Sequence, residues 1–316
     1  MTVLACDLGG TRMKIGLVRD GHVLAQTTKP AKSKAGLAAA LPALKSAWLR
    51  QLNKLGIAVS DCGGIAVAFP SLVDLKSGRL RAGYGKYGDA AQVDLSAWAR
   101  REFKLPLAVE NDARMALTGE WKHGAGRGSN NLVMMTLGTG LGTAAVIEGH
   151  LLRGPHGQAG VLGGHLTVNY RGRDCTCGNL GCAEAEASTV VLCDLAARLP
   201  EWDSSALRQC ATLNYAVVFK HADAGDPCAL KLREHSLRVW GAMAVNLIHA
   251  YDPETVILGG GIMAAQEVIL PAVKEYIHRC AHTPWGRVQV VPGQLGDAAA
   301  LLAAEWLLSE QQGVLR

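Results

Sequence analysis

Short runs of apolar and β-branched residues alternate along the chain with longer segments in which apolar residues recur at helical spacing. The short runs predict strands at residues 2–5, 15–18, 64–68, 107–109, 132–137, 143–147 and 256–258. The longer segments predict helices at residues 36–55, 113–123, 188–199 and 229–251. Strands that alternate with helices in this order predict an α/β protein with a mixed sheet.

A weak internal repeat predicts two related domains. Residues 8–11, 16–18 and 21–22 (LGGT, GLV, GH) are echoed by residues 137–140, 145–147 and 149–150 (LGTG, AVI, GH). Each copy predicts a strand, a glycine turn, a second strand and another turn. Glycine hairpins also recur by chance, but a repeat in a chain of 316 residues favours two similar domains that face each other across a cleft. We place the smaller domain at 1–117 plus 297–316, which contains a returning C-terminal helix, and the larger domain at 118–296.

Composition and charge narrow the class of protein. With 49% hydrophobic and 19% charged residues and no block of like charges, the chain is predicted to be globular. The net charge of +5 is spread evenly, so we expect no nucleic-acid or membrane partner. We find no signal-peptide pattern and no apolar run of about 18 residues, so a cytoplasmic location is expected. Three of the nine cysteines lie within residues 175–182, which in a reducing compartment indicates a metal site rather than disulfides.

The first glycine turn lies in the segment DLGGTRMK, residues 7–14. Its glycines allow backbone N–H groups to approach an anionic oxygen, as a phosphate requires. Asp7 stands at a strand end, where it would bind Mg²⁺ through water. The alternative is a tight hairpin without a ligand. The predicted nucleotide contacts of this turn are Asp7, Gly9, Gly10, Thr11 and Lys14.

Two further glycine clusters extend this prediction. The second hairpin offers the same kind of cradle from the other domain, through Gly138, Thr139 and Gly140. Neither hairpin has the Rossmann or the Walker spacing. The third cluster follows a predicted strand and precedes a helix, where a nucleotide is often bound by backbone alone. We expect Gly259, Gly260 and Gly261 to bind the adenosine part of ATP, although they could form only a close-packing turn.

The candidate general base lies in the segment ENDA, residues 110–113, where a predicted strand meets a predicted helix. An Asp at such a position is often only a helix N-cap. However, the carboxyl ends of strands in an open α/β sheet are also where ligands bind. Phosphoryl transfer to an alcohol needs one carboxylate to orient the hydroxyl and accept its proton. We assign that role to Asp112 and the binding of the sugar to Asn111.

Four residues have the spacing of a metal site: His165, Cys175, Cys177 and Cys182. Three thiolates and one imidazole complete a tetrahedral zinc site and leave no open position for water, so the zinc would be structural. Glu184 follows the last cysteine by two residues, so the metal would fix its position. We interpret Glu184 as an acceptor for a sugar hydroxyl, although a surface carboxylate would look the same in sequence.

The chain resembles the ROK family of bacterial sugar kinases and sugar-responsive repressors. The resemblance rests on the segments DLGGTRMKIGLV, FPSLVD, ENDARMALTGEW, TLGTGLGTAAV, CTCGNLGCAE and LGGGIM. It implies two actin/hexokinase-like (ribonuclease H-like) domains with an interdomain cleft, ATP with Mg²⁺, and transfer to a hexose, usually at its 6-hydroxyl. It also implies the roles given above for Asp112, Asn111, Glu184 and the zinc ligands, and it places His165 near the sugar. A homo-oligomer is implied as well, with a dimer as the expected state.

The chain departs from the family pattern at two places. Residues 160–165 read GVLGGH, whereas the family usually has GEIGH with the Glu on the sugar. A sugar hydroxyl would thereby lose an ionic acceptor worth about 1.5–3 kcal/mol. Ser71, which we count among the sugar contacts, stands where the family commonly has glycine, and residues 79–91, with Tyr84 and Tyr87, are also atypical. The sequence therefore leaves open which sugar is bound: glucose, a related hexose or an N-acetylhexosamine.

Two hypotheses follow for function. The leading one is an ATP-dependent kinase that phosphorylates a hexose. The alternative is a non-catalytic sugar-sensing or partner-binding protein on the same scaffold, which would fit the missing Glu. The repressor members of the family have a helix-turn-helix ahead of the first phosphate turn. Because that turn begins at Asp7 here, we do not expect DNA binding.

Overall fold

The computed structural model of the protein describes residues 1–74, 77–81 and 86–314. The chain divides into two compact units. The first unit contains Met1–Gly128, Arg153–Ala159 and Asp297–Arg316, and the second contains Ser129–Leu152 and Gly160–Gly296. The predicted boundary between residues 117 and 118 falls within a helix, and the exact domain division stays a prediction. Among the described residues, no helix combines the length and the apolarity that crossing a bilayer requires.

The first unit is built on a five-stranded sheet with the order β3-β2-β1-β4-β5. The first three strands are antiparallel neighbours, and β4 and β5 run parallel to β1. The strands are β1 (Thr2–Leu8), β2 (Arg12–Arg19), β3 (His22–Pro30), β4 (Cys62–Phe69) and β5 (Leu107–Asn111). The helices are α1 (Leu37–Leu55), α2 (Leu95–Phe103) and α3 (Asp112–His123), joined at the end of the chain by two helices named below.

Aromatic side chains from α1 and α2 form the core on one part of this sheet. Trp48 is fully buried and packs its ring 5.8 Å from Phe103 and 6.4 Å from Trp98. The indole N–H of Trp48 donates to the carbonyl of Ala5, so burial of the ring leaves no orphan donor. These contacts fix α1 and α2 to the sheet whose strand ends carry the predicted phosphate turn and base.

The second unit repeats the same topology. Its sheet has the order β10-β9-β6-β7-β8, with β6, β7 and β8 antiparallel and with β9 and β10 parallel to β6. The strands are β6 (Leu132–Leu137), β7 (Leu141–Ile147), β8 (His150–Leu151), β9 (Thr255–Gly259) and β10 (Gln289–Pro292). The helices are α4 (Ala183–Ala187), α5 (Leu192–Ala197), α6 (Tyr215–Asp223), α7 (Pro227–Tyr251) and α8 (Gln266–Cys280). The repeated strand order is the structural counterpart of the repeat in the sequence.

The end of the chain returns to the first unit as α9 (Ala299–Leu302) and α10 (Ala304–Val314). A Cβ added to Gly119 of α3 would lie only 1.9 Å from the carbonyl oxygen of Ala299. Only glycine therefore allows α3 and α9 to pack at this distance. Across the same unit, Trp121 of α3 and Trp306 of α10 meet edge to face, with 5.8 Å between their ring centroids.

Candidate functional site

The first glycine turn joins β1 to β2 and is fixed by contacts to its carbonyl groups. The hydroxyl of Tyr87 donates to the carbonyl of Gly9 at 3.0 Å, and Ser33 Oγ donates to the carbonyl of Gly10 at 2.6 Å. A Cβ on Gly9 would lie 2.7 Å from the carbonyl oxygen of Arg12. The turn is thus too tight for any residue but glycine at position 9, as a backbone cradle for an anion requires.

Asp7 and Lys14 lie next to this turn on adjacent strands. Lys14 Nζ lies 3.2 Å from Asp7 Oδ2 and 2.9 Å from Asp297 Oδ1. Burial raises the pKa of Asp7, and the charge of Lys14 opposes that shift. A partly buried carboxylate beside a phosphate-type turn is suited to hold Mg²⁺, which prefers one or two carboxylates plus water and phosphate oxygens. Thr11 is exposed, and its carbonyl accepts the N–H of Ala31.

Asn111 and Asp112 occupy the junction between β5 and α3. The N-cap is Asn111, whose Oδ1 accepts the N–H groups of Ala113 and Arg114 at 3.0 and 3.2 Å. Asp112 is therefore the first residue of the helix rather than its cap. Asn111 also donates its amide to Asp112 Oδ1 at 3.1 Å and to the carbonyl of Ser71 at 3.3 Å. The buried side chain of Asn111 thus links Asp112 and Ser71 through hydrogen bonds to both.

The surroundings of Asp112 make its carboxyl group a stronger base than a free aspartate. Loss of solvent on burial and the negative charge of Asp7 raise the pKa of Asp112 to about 6. Lys86 and the N–H groups of Ala113 and Asp112 itself act in the opposite direction. A carboxylate with a pKa near neutrality is well matched to accept a proton from an alcohol as the proton leaves.

A buried ion-pair network beneath this junction was not predicted from the sequence. Glu110 and Arg114 are both buried and form an ion pair of 3.1 Å, and Arg153 Nε donates to the second oxygen of Glu110 at 2.7 Å. Arg114 Nη2 also donates to the carbonyls of Gly157 and Ala159 at 3.0 and 2.8 Å. The network fixes the strand end that carries Asn111. The i, i+4 spacing of Glu110 and Arg114 was the one available signal, but nothing in the sequence indicates that the pair is buried.

The second glycine hairpin joins β6 to β7 in the second unit. The N–H of Gly138 donates to the carbonyl of Gly140 at 3.1 Å, while the carbonyls of Gly138 and Thr139 accept the N–H groups of Thr189 and Val190. Glu184, from the start of α4, accepts the N–H of Leu141 at 2.8 Å. A Cβ on Gly140 would lie 2.3 Å from that carboxylate. Glu184 thus contacts the hairpin directly, a contact that the sequence did not predict.

The third glycine cluster follows β9 and leads into α8 through a 3₁₀ turn, Gly261–Ala265. Gly260 has a φ of 92°, and a Cβ there would lie 2.3 Å from the carbonyl oxygen of Leu137. Close packing against the end of β6 therefore accounts for Gly260. Gly261 has open space around its Cα, and a Cβ on Gly259 would meet Met134. A role of the three residues in binding adenosine stays a prediction.

The four predicted metal ligands form one cluster. The ligand atoms of His165, Cys175, Cys177 and Cys182 all lie within 4.8 Å of one another. Cys177 Sγ lies 3.7 Å from Cys182 Sγ, and Cys175 Sγ lies 3.5 Å from His165 Nδ1. A zinc tetrahedron with Zn–S bonds of about 2.3 Å has edges of about 3.8 Å, so the donor set and its spacing fit zinc.

Glycines permit the tight loop that carries the three cysteines. Gly178 and Gly181 have φ values of 88° and 61°, in the left-handed region that favours glycine. A Cβ on Gly181 would also clash with the carbonyl oxygen of Asn169, at 1.6 Å. The segment that leads to the cluster is fixed by Thr143 of β7, whose hydroxyl donates to the carbonyl of Gly160 at 2.6 Å and accepts the N–H of Gly163 at 2.8 Å. Val161, in the segment that departs from the family pattern, is buried.

The remaining predicted contacts are placed as follows. Ser71 is buried, and its hydroxyl donates to the carbonyl of Arg81 at 2.9 Å. His165 ends a 3₁₀ turn, Gly163–His165, and lies in the cluster of predicted metal ligands. Of the atypical segment that we singled out, Tyr87 is described above, whereas Tyr84 lies outside the described residues.

Comparisons with known proteins agree with this description. The sequence profile of the ROK family matches residues 3–311. The glucokinase of Thermotoga maritima is 30% identical over 323 residues, with 99% of both chains covered. The ROK hexokinase of Thermus thermophilus is 29% identical with a TM-score of 0.77, covering 99% of this chain and 100% of that chain. A ROK family glucokinase from Streptomyces griseus, solved with glucose and AMPPNP, is 26% identical with a TM-score of 0.79, covering 97% of this chain and 99% of that chain.

These matches confirm the predicted fold class, an α/β protein with two actin/hexokinase-like domains. They also confirm the resemblance to the ROK family that we inferred from the glycine turns, the ENDA segment and the cysteine cluster. Since the family profile extends over nearly the whole length, from residue 3 to residue 311, the chain belongs to the ROK family.

Proposed function

We propose that this chain transfers the γ-phosphoryl group of ATP to the 6-hydroxyl of a hexose, such as glucose, a related hexose or an N-acetylhexosamine. Family membership and full-length similarity to glucokinases identify the chain as an ATP-dependent carbohydrate kinase. Beyond this enzyme class, the proposal specifies which hydroxyl is phosphorylated and which residues bind the substrates and accept the proton. It is supported by the glucose and AMPPNP bound to the Streptomyces griseus relative.

The proposed mechanism rests on the position and the raised pKa of the Asp112 carboxylate. This carboxylate accepts the amide of Asn111, and burial together with the charge of Asp7 on β1 raises its pKa to about 6. In the proposed reaction the sugar oxygen forms a bond to the γ-phosphorus, the bond from that phosphorus to the bridging oxygen of ADP breaks, and the hydroxyl proton passes to Asp112. Asn111, Ser71, His165 and Glu184 are the proposed sugar contacts.

The nucleotide would be bound mostly by backbone. In the first unit, the N–H groups of the Gly9–Gly10 turn and Thr11 would contact phosphate oxygens, with Lys14 beside them. Asp7 would hold Mg²⁺ through water, and the ion would supply positive charge against the phosphate oxygens. In the second unit, the proposed contacts with the nucleotide are Gly138, Thr139, Gly140, Gly259, Gly260 and Gly261.

A structural zinc is the second part of the proposal. His165, Cys175, Cys177 and Cys182 would hold the ion in a closed tetrahedral site. The ion would fix the start of α4 and with it the carboxylate of Glu184.

A homodimer and a cytoplasmic location stay predictions. Light scattering on the purified protein tests whether it is a dimer.

A sugar panel tests the proposed function. The wild type is assayed with Mg²⁺ and ATP on glucose, mannose, allose, fructose and N-acetylated hexosamines, with 6-deoxyglucose as the probe for the 6-hydroxyl. We expect turnover of at least one hexose, none of 6-deoxyglucose, and a loss of about 10²- to 10⁴-fold in Asp112→Asn. Asp203→Asn, on an exposed side chain, is the matched control. Binding of a sugar by calorimetry without turnover of any would favour the sugar-sensing alternative.

A further inference from the structure

The side chain of Lys86 lies across the first glycine turn. A Cβ built on Gly10 would lie 2.7 Å from Lys86 Cε, 2.9 Å from its Cδ and 3.3 Å from its Nζ. Glycine at position 10 thus leaves the space that the lysine side chain fills. Within residues 1–74, 77–81 and 86–314, Lys86 forms no ion pair, whereas Lys14 contacts both Asp7 and Asp297. Lys86 therefore brings a positive charge to the turn that these described residues do not neutralise in an ion pair.

The neighbouring Tyr87 fixes the backbone from which Lys86 extends. Tyr87 has a φ of 50°, an unfavourable value for a bulky residue that persists only when surrounding contacts enforce it. Its hydroxyl donates to the carbonyl of Gly9, its N–H donates to the carbonyl of Ser33, and its buried ring lies 5.4 Å from Phe69. Lys86 is therefore presented to the turn from an anchored position.

Lys86 also acts on the candidate base. Its charge lowers the pKa of Asp112, against the larger effect of burial and against the charge of Asp7. The ammonium group thus lies beside the turn proposed to bind phosphate, and its charge acts on the carboxylate proposed to accept the proton. A phosphoryl group that passes from a nucleotide at the turn to a hydroxyl beside that carboxylate would move past this charge.

We propose that Lys86 is a further catalytic residue, whose ammonium group contacts the γ-phosphoryl oxygens of ATP during transfer. This inference rests on the proposed function. In the transition state, negative charge spreads over the three equatorial oxygens of the transferred group, and a positioned cation stabilises it. Lys86 keeps its proton throughout and forms no covalent bond. A lysine serves here as a point charge that its flexible stem can bring to the oxygens.

The test compares Lys86→Met and Lys86→Arg with the wild type and with Lys54→Met, a control at an exposed lysine. Lys86→Met should lower kcat by about 10²- to 10³-fold, as loss of one charge-stabilising donor does. The KM for ATP should change much less, because the contact forms mainly in the transition state. Lys86→Arg should recover part of kcat, and Lys54→Met should match the wild type. Thermal unfolding of each variant shows whether it is folded.

The pH profile separates a catalytic lysine from a structural one. Because Lys86 lowers the pKa of Asp112, its removal should shift the acid limb of kcat/KM to higher pH. A structural role would lower stability without this shift. A Lys86→Met variant within about threefold of the wild-type kcat, with an unmoved acid limb, would overturn the inference.

Parallel measurements on Asp112→Asn distinguish failure of the proposed role of Lys86 from failure of the proposed kinase function. An inactive Asp112→Asn beside a fully active Lys86→Met would contradict only the role of Lys86. A wild type that phosphorylates none of the sugars would contradict both. Loss of kcat in both variants, with partial recovery in Lys86→Arg, supports both.

Discussion

Asn111 donates its side-chain amide to Asp112 Oδ1 at 3.1 Å, while its side-chain oxygen Oδ1 accepts the N–H groups of Ala113 and Arg114 at the start of α3. One side chain thus begins the helix and orients the candidate base. Two substitutions should separate these tasks. Asn111→Ala removes both and should lower the free energy of unfolding by about 1 kcal/mol.

Asn111→Ser keeps a good capping group but has no amide for Asp112. We expect its stability to stay close to that of the wild type while kcat falls by up to about 10²-fold, since misplacement of a base by about 1 Å has such an effect. Urea unfolding and kinase assays on the same samples provide the two values. A serine variant with wild-type kcat would show that Asp112 does not depend on Asn111 for its orientation.

The raised pKa of Asp112 predicts an acid limb in the pH dependence of kcat/KM. The base must be ionised, so activity should fall about tenfold per pH unit below a midpoint near the pKa of about 6. Asp7 moves this midpoint upward, and Lys86 and the N–H of Ala113 move it downward. A midpoint near pH 4, the ordinary value of an aspartate, would show that the free enzyme does not perturb this group.

The same shift predicts that the candidate base lowers stability. The pKa of Asp112 is higher in the folded than in the unfolded state, so the folded state binds more protons between about pH 4 and 6 and loses stability as pH rises through that window. Asp112→Asn, which carries no charge, should therefore be more stable than the wild type at pH 7, by roughly 1–3 kcal/mol. The difference should vanish near pH 4. Urea unfolding at both pH values measures it, and an equal difference at both would be inconsistent with the shift.

Because the ion pair between Glu110 and Arg114 is buried, the effects of substituting these two residues on stability should be strongly coupled. Arg114→Met leaves the carboxylate of Glu110 with Arg153 as its remaining ion-pair partner among the described residues, and should lower the free energy of unfolding by about 3–5 kcal/mol. The double variant with Glu110→Gln should lose less than the sum of the two single variants, because it removes the buried charge as well. Additive losses in a double-mutant cycle by urea unfolding would indicate that the two side chains do not depend on each other.

The cluster of one histidine and three cysteines predicts about one equivalent of zinc per chain by elemental analysis. Cys177→Ser should lose the metal and lower the unfolding temperature, because metal binding and folding are coupled. Cys193→Ser, at an exposed cysteine, should keep both. Wild-type protein purified in the presence of zinc but free of metal would remove the role proposed for the cluster.

The strands that the sequence predicted are those with two buried faces. The prediction at 132–137 coincides with β6, and the others fall within β1, β2, β4, β5, β7 and β9. Strand β3 was not predicted because its residues alternate between exposed and half-buried, without the alternation of apolar and polar residues that is typical of a packed strand. Strands β8 and β10 are only 2 and 4 residues long, too short to show a period.

For the candidate site, sequence spacing was informative where one loop brings the residues together. The cysteine cluster and the Asn111–Asp112 pair are local, so their positions follow from the chain itself. The contact of Glu184 with Leu141 joins residues 43 positions apart, and that of Tyr87 with Gly9 joins residues 78 positions apart. Such contacts depend on tertiary packing, which no local pattern reports. The position of Lys86 beside Gly10 was not predicted from the sequence for the same reason.

The return of α9 and α10 to the first unit, with Gly119 against Ala299, sets an order for biosynthesis. A ribosome releases every residue of the second unit, up to Gly296, before it releases the helices that complete the first unit. The first unit is therefore begun first and completed last. The turn between β1 and β2, proposed to bind phosphate, thus belongs to a completed unit only after α10 has been synthesised.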